Sequence, residues 1–429
     1  MHSFNYKIVI FLMGVLLLFN GCLMLISSLV SFFYKDGVTF EITLSSFLVL
    51  SLGALLMLFG RQYDKQIQKR EGYVIVTLGW MMMTISGMLP FIFTNSMVDI
   101  PSTFFETMSG YTATGATILQ DIESLPLGIL FWRSMTHWIG GMGIIVLAVA
   151  ILPLLGIGGI QLFSAEAPGP NNDKLHPRIT DTAKRLWLIY VSFTFLEAIL
   201  LSFAGMSIFD AVNHAMSTMA SGGFSTKNNS LAYWNHLPLV HYIIILFMFL
   251  AGSNFVLSYF ALTGKFKKVL DDNEFVTFLA FVLIFSFIVF TVIYTSVDLN
   301  NSYFDFPQVF GKLEGSIRHS LFQVLAIITT TGFVTSDYTA WTPFLTVFFF
   351  GLMFLGGSAG STSGGIKVVR HLLMIKGGIL EFKRALHPNA IIQPRYNGKI
   401  VNQEIIGNIL AFFILYMILF IVGSLVFGF

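Results

Sequence analysis

Three short motifs recur along this chain at nearly equal spacing: Thr114-Gly115-Ala116, Ser221-Gly222-Gly223 and Thr331-Gly332-Phe333. Gly115 and Gly222 are 107 residues apart, and Gly222 and Gly332 are 110 apart. Each motif lies between two long apolar stretches, so the chain reads as a tandem array of one structural unit. The apolar stretches also identify the solvent. Hydrophobic residues make up 55 % of the 429 and charged residues 11 %, whereas soluble domains carry roughly 25 % charged residues.

About 20 apolar residues cross a bilayer. Candidate spans are 8–33, 43–60, 73–93, 128–156, 185–204, 238–262, 275–296, 343–378 and 405–427. The first is too long for a signal-peptide core and reads as a retained membrane helix. The single cysteine, Cys22, excludes an internal disulfide and is read as a packing residue within that helix. Basic residues cluster on one side of the spans: Lys7; Arg61 to Arg70; Lys174 to Arg185; Lys265 to Lys268; Lys367 to Lys399. These groups hold 19 of the 24 Lys and Arg residues. Basic loops stay in the cytoplasm, which places the N-terminus there as well. The opposite loops carry the three glycine motifs and acids such as Asp99, Asp121, Glu123, Asp298 and Asp305.

Short amphipathic segments at 102–113, 209–220 and 318–330 precede the motifs. They are too short to cross, so each dips into the membrane and returns, which irregular backbone tolerates only beside protein or a wet cavity. The repeating unit is helix, pore helix, extended loop, helix, at 73–156, 185–262 and 275–378. Two extra helices stand in front, and the first helix of a fourth unit follows at 405–427. The domain reading is 1–70, 71–160, 161–264, 265–385 and 386–429. A further period puts a fourth glycine roughly 10–13 residues beyond Phe429. On that reading the fourth wall is missing, and the chain alone is expected to be inactive.

Such loops suit cation binding. Backbone carbonyls converging on one axis can replace an ion's hydration shell. Glycine permits the required backbone conformation, and the pore helix aims its partly negative C-terminus at the cation. The expected filter residues are Ala113, Thr114 and Gly115; Ala220, Ser221 and Gly222; and Thr330, Thr331 and Gly332. Nine residues before each glycine stand Glu106, Asn213 and Gln323, polar residues on the three pore helices.

The chain resembles the pore-forming membrane subunit of Trk-type potassium uptake systems, within the superfamily that includes the Ktr and HKT transporters. The resemblance rests on Phe105–Thr117, Trp132–Ile144, Phe209–Thr226, Arg318–Asp337 and Gly356–Arg370. It implies an all-α polytopic protein with four pseudo-symmetric helix–pore loop–helix repeats around one potassium path in the bacterial inner membrane. It also implies a homodimer seated on cytoplasmic nucleotide-binding regulatory subunits. Any nucleotide would then bind that partner, with potassium as transported ion and no cofactor in this chain. In that family a serine in place of the first filter glycine accompanies sodium permeation, so Gly115 favours potassium.

The long stretch 343–378 contains Gly356, Gly357, Ser358, Ala359, Gly360, Ser361, Thr362, Ser363, Gly364 and Gly365. So many small residues break a helix inside the membrane. A nucleotide P-loop is excluded because the segment lacks the Gly-Lys-Ser/Thr ending and follows an apolar helix; close helix packing is the plainer alternative. The resemblance implies an intramembrane gate. Glu197, within a span, is read as structurally paired or hydrogen-bonded, and His137 and Trp138 as part of an interfacial aromatic belt. The basic face 367–399 reads as a solvated surface that also meets anionic lipid. No His/Cys cluster or nucleophile–base pair points to an enzyme. The competing readings are an ion-coupled carrier with broken helices, which the same-direction repeats disfavour, and a sodium-permeable relative.

Overall fold

The computed structural model describes residues 4–61, 69–141, 143, 179–297, 310–387, 393–401 and 403–428. The far half of the expected span 128–156, together with Lys65, Lys174, Arg178, Asp298 and Asp305, lies outside them. The helices are α1 (Tyr6–Tyr34), α2 (Thr39–Phe59), α3 (Lys69–Gly87), α4 (Leu89–Phe93), α5 (Ile100–Tyr111), α6 (Leu127–Gly141), α7 (Ile179–Phe203) and α8 (Ile208–Met219). They continue as α9 (Pro238–Gly252), α10 (Phe255–Leu262), α11 (Phe266–Leu270), α12 (Asn273–Ser296), α13 (Gly311–Ile328), α14 (Pro343–Leu352), α15 (Val368–Leu386) and α16 (Gln403–Gly428). Among the described residues six helices are long and apolar enough to cross a membrane, and the bent pair α9–α10 passes the same test only when its two helices are taken together. The chain is a multi-pass, all-α membrane protein.

The two leading helices form an antiparallel hairpin with a glycine seam. A Cβ built on Gly14 would fall 2.6 Å from Met57 N, and one on Gly53 would fall 2.9 Å from Leu18 N. Such close approach lets α1 bury a polar residue at its centre. Asn20 donates through Nδ2 to Ser86 Oγ at 2.8 Å and accepts at Oδ1 from the Tyr111 hydroxyl at 2.7 Å. Tyr111 ends α5, so the hairpin buttresses the first pore helix. Cys22 corrects its expectation: it is exposed on the surface of α1, because the buried stripe runs through Gly21, Leu23 and Met24.

The three expected pore helices correspond to α5, α8 and α13. The third begins at Gly311, earlier than the expected 318, because Ser316 and Arg318 extend its buried face. Each pore helix starts beside an outer helix and is followed by a loop that returns to an inner helix. Asp99 and Ser207 cap α5 and α8 by accepting from Ser102 N and Asp210 N. Two large hydrophobic cores, with smaller ones around Tyr190 and Leu373, fill the space among the described residues. One joins α1–α6 around Trp132, Phe91 and Tyr111; the other joins the later repeats around Phe278, Phe322 and Phe349.

The expected span 238–262 is not one helix. It bends by 111° between α9 and α10, where Ser253 is extended and the Asn254 side chain restarts the helix by accepting from Val256 N. The stretch 343–378 breaks as expected, between α14 and α15. Beyond α15 a two-residue hairpin pairs Arg395–Tyr396 with Lys399–Ile400, turning on Asn397 (φ 46°) and Gly398 (φ 76°), the residue pair such turns prefer.

The glycine seam yields a stability prediction. Gly14→Ala should destabilise by about 1–3 kcal/mol, because the new methyl meets rigid backbone. Gly423→Ala, where nothing lies within 4 Å, should be neutral or slightly stabilising. Thermal unfolding of the detergent-solubilised protein, compared between the two variants, checks both.

Candidate functional site

Each pore helix ends in the same backbone sequence. Thr112, Ala220 and Thr329 close the helices in right-handed conformation, donating to Met108, Met216 and Leu325 O respectively. The next residues, Ala113, Ser221 and Thr330, are left-handed at φ 50°, 55° and 56°. Two residues further on, Gly115, Gly223 and Gly332 have φ 76°, 81° and 78°. The second repeat is therefore shifted by one from the sequence expectation. Gly223, and not Gly222, is the counterpart of Gly115 and Gly332, while Ala220 belongs to the helix cap. The glycine spacings become 108 and 109 residues, more regular than those read from Gly222. The same shift makes His214, rather than Asn213, the counterpart of Glu106 and Gln323. The side chains agree: Thr117 Oγ1 donates to Glu106 Oε1, and the corresponding Ser225 Oγ pairs with His214 Nε2 at 2.9 Å.

The loops touch in chain order. A Cβ on Gly115 would lie 1.9 Å from the Gly222 carbonyl oxygen, and one on Gly223 2.0 Å from that of Thr331. No side chain fits at either contact. Main-chain oxygens of loops two and three thus lie directly against the backbone of the preceding loop. Inner-helix glycines bring up the support: a Cβ on Gly140 would strike Tyr111 O at 1.9 Å, and one on Gly252 the Thr329 side chain at 2.5 Å.

His137 and Trp138 pack behind these loops, His137 fully buried and Trp138 half-buried. His137 is fully buried, stacks on Phe224 at 3.8 Å and pairs through Nδ1 with Ser217 Oγ at 3.0 Å. Trp138 Nε1 donates to Thr194 Oγ1 at 3.1 Å. Both are drawn inward because α6 packs against α8. Glu197, fully buried on α7, has no ion pair among the described residues; its hydrogen-bonding neighbour is Thr218.

The Gly/Ser-rich segment crosses beneath loops two and three. Thr362 Oγ1 donates to Met219 O at 2.9 Å and lies 3.0 Å from Ser221 Oγ; Gly364 N donates to Thr330 Oγ1 at 2.7 Å. Ser221 and Thr330 are the left-handed residues that begin those loops, so one segment holds two loop origins. The break in α9–α10 provides its anchorage. The carbonyls freed there accept from the segment: Gly252 O from Ser358 N at 2.8 Å and Ala251 O from Thr362 N at 3.2 Å. On the far side Glu274 Oε1 accepts from Ala359 N at 2.7 Å and Val369 N at 3.1 Å. Lys367 Nζ donates to Ser363 O.

Outside the ring, Asn228 ties loop one to loop two. Its Oδ1 accepts from Ile122 N at 2.7 Å and its Nδ2 donates to Asp121 Oδ1 at 2.9 Å. That donation holds the Asp121 carboxyl below the usual carboxylate range, just as Ser102 does for Asp99. Both groups therefore stay ionised at neutral pH on the face of the motif-bearing loops. No group of three or more His, Cys, Asp or Glu able to hold a metal is found among the described residues. The chemistry on offer is oxygen-rich main chain and hydroxyls, suited to weak coordination of a cation.

Residues 38–427 match the sequence profile of a family described as TrkH, cation transport protein. The Trk system potassium uptake protein TrkH of Escherichia coli K12 is 41 % identical over 424 residues, spanning 98 % of this chain and 85 % of that protein. The Trk system potassium uptake protein TrkG of the same strain is 34 % identical over 421 residues, 97 % of this chain and 84 % of its own length. Among solved structures, the potassium transporter TrkH from Vibrio parahaemolyticus superposes with a TM-score of 0.85 at 34 % identity, covering 98 % of this chain and 85 % of that one.

The register makes opposite predictions for two adjacent glycines. A methyl on Gly222 would strike the His137 ring at 2.3 Å, a side chain, whereas one on Gly223 strikes backbone. Rubidium uptake lost in Gly222→Ala should be partly restored by adding His137→Ser. No such second change should restore Gly223→Ala.

Proposed function

The chain belongs to the TrkH family of cation transport proteins, and on that premise we propose that it is a potassium-translocating pore subunit. The observation that carries this reading is the backbone-to-backbone contact of three successive loops, so tight at Gly115 and Gly223 that only glycine fits. Potassium would shed water at carbonyls of residues 113–115, 221–223 and 330–332, since main-chain oxygens can replace a hydration shell. The C-terminal ends of α5, α8 and α13 lead directly into these residues and add favourable potential for a cation. Relatives named as potassium uptake proteins support the choice of ion.

The segment 356–365 would act as the gate. It lies against Ser221 and Thr330 at the start of two loops, and its hold consists of hydrogen bonds worth about 1 kcal/mol each, weak enough to be exchanged. The basic loops support an inner-membrane protein with a cytoplasmic N-terminus. The name Trk system, borne by the relatives, supports work in an assembly, here a homodimer on a cytoplasmic nucleotide-binding regulatory subunit. Ligand and nucleotide chemistry would then reside in that partner.

Two measurements test this. Rubidium uptake is measured in cells lacking their own potassium systems, with the 429-residue chain and with a form to which a fourth pore loop is added. Potassium-competed uptake in either form is expected, and its absence from both overturns the reading. In the active form, replacing residues 356–365 by a short linker should raise passive leak several-fold; unchanged leak removes the gate assignment.

A further inference from the structure

One fully buried ion pair lies against loops one and two. Glu106 on α5 and Arg133 on α6 are 1 % and 2 % exposed, and Arg133 Nε donates to Glu106 Oε1 at 2.7 Å. Ionisable groups at membrane depth are costly and point to function by default. Here their remaining bonding groups are directed at loop backbone. Glu106 accepts at Oε2 from Ile118 N at 3.0 Å and at Oε1 from Thr117 Oγ1 at 3.0 Å, fixing loop one just beyond Gly115. Arg133 donates through a terminal nitrogen to Ser225 O at 3.1 Å, fixing loop two just beyond Gly223. Its guanidinium lies 3.4 Å from the centroid of the Phe224 ring, which also stacks on His137 at 3.8 Å.

The pair is therefore bonded to both loops that meet at the Gly115–Gly222 contact. We propose that Glu106 and Arg133 are positioning residues that set how strongly the ring prefers potassium to sodium, by fixing the separation of loops one and two. The proposal rests on the reading of the ring as a potassium filter. Sodium is the smaller ion, so coordinating it requires the carbonyls to close inward. A planar guanidinium held on one side by a carboxylate and on the other by a carbonyl resists that closure, and charged hydrogen bonds are both short and directional. The brace is specific to this junction. The counterparts of Glu106 are His214 and Gln323, and loops two and three are joined instead by uncharged groups, Leu231 N and Ala232 N donating to Val334 O, Val334 N to Ser230 Oγ and Asn235 Nδ2 to Thr335 O.

The test uses the purified full chain in detergent. Unfolding midpoints are measured across series of potassium, sodium and choline chloride, because an ion that binds the folded state stabilises it in proportion to its affinity. The parent should be stabilised by potassium in preference to sodium. In Glu106→Gln and Arg133→Lys the ratio of apparent potassium to sodium affinities should fall by at least about tenfold, the scale of one lost charged hydrogen bond. Arg133→Lys keeps the charge and most of the packing, and it carries the test should Glu106→Gln fail to fold. A role confined to stability would lower the midpoint equally in all three salts, the pattern expected of Gly14→Ala. Variants that keep the parental ratio overturn the proposal. A parent with no potassium preference overturns the filter reading itself, a different and recognisable outcome.

Discussion

A peptide group that leaves a helix inside a membrane must find its hydrogen-bond partner in protein, because the lipid provides none. This constraint organises the molecule. Three loops and the Gly/Ser-rich segment depart from helical geometry at depth, and each is met by a matching departure nearby. The break of α9–α10 frees the carbonyls of Ala251 and Gly252, and the segment 356–365 brings the N–H groups that need them. Neither irregularity is stable alone: separated, each would leave buried polar groups unpaired at about 1–3 kcal/mol apiece. The loops resolve the same problem through hydroxyls, Thr330 accepting from Gly364 N and Ser109 donating to Ala116 O.

Six of the nine expected spans, the short helices before the glycine motifs and the breaker segment were legible in the sequence because all three depend on local composition. Apolar length reports a crossing, a Ser/Thr-Gly dipeptide reports a loop, and ten small residues in a row report a broken helix. The register of the second loop was not legible. Ser221-Gly222-Gly223 offers two glycines, and the residues nine positions before them, Asn213 and His214, are both polar. The structure decides by φ: only Gly223 repeats the positive angle of Gly115 and Gly332. Gly222 is a glycine for another reason, the His137 ring pressed against it. The bend at Ser253-Asn254 was invisible for a different cause. Its partner lies about a hundred residues later in the chain, and no local pattern reports a contact at that range. The small Asn397-Gly398 hairpin was a local signal, overlooked by a reading tuned to apolar runs; it seats the start of α12 through Asn397 Oδ1, which accepts from Asn273 N at 2.8 Å.

Charge inside the protein follows the same logic as the backbone. Arg133 and Arg318 are each buried beside a glutamate on a pore helix, Glu106 and Glu314, at 2.7 and 2.8 Å. Arg318 also donates to His241 Nδ1 at 2.8 Å, an inner-helix residue of the preceding repeat. Both arginines thus pair within their own repeat and also reach into repeat two, Arg133 at Ser225 O and Arg318 at His241. A delocalised guanidinium suits such sites because its donors form a rigid fork that serves two neighbours at once. Removing one partner of such a pair is far more damaging than its net contribution suggests, since the other charge is stranded.

The loops meet in the order in which they are translated, Gly115 against loop two and Gly223 against loop three. A pore made from identical subunits carries every substitution in all of its walls at once. Here each wall is encoded separately, and the three have already diverged: glutamate, histidine and glutamine at one equivalent position, alanine, serine and threonine at another. Evolution can therefore alter one loop while the others stay fixed, and small, asymmetric changes at these contacts become reachable by single mutations.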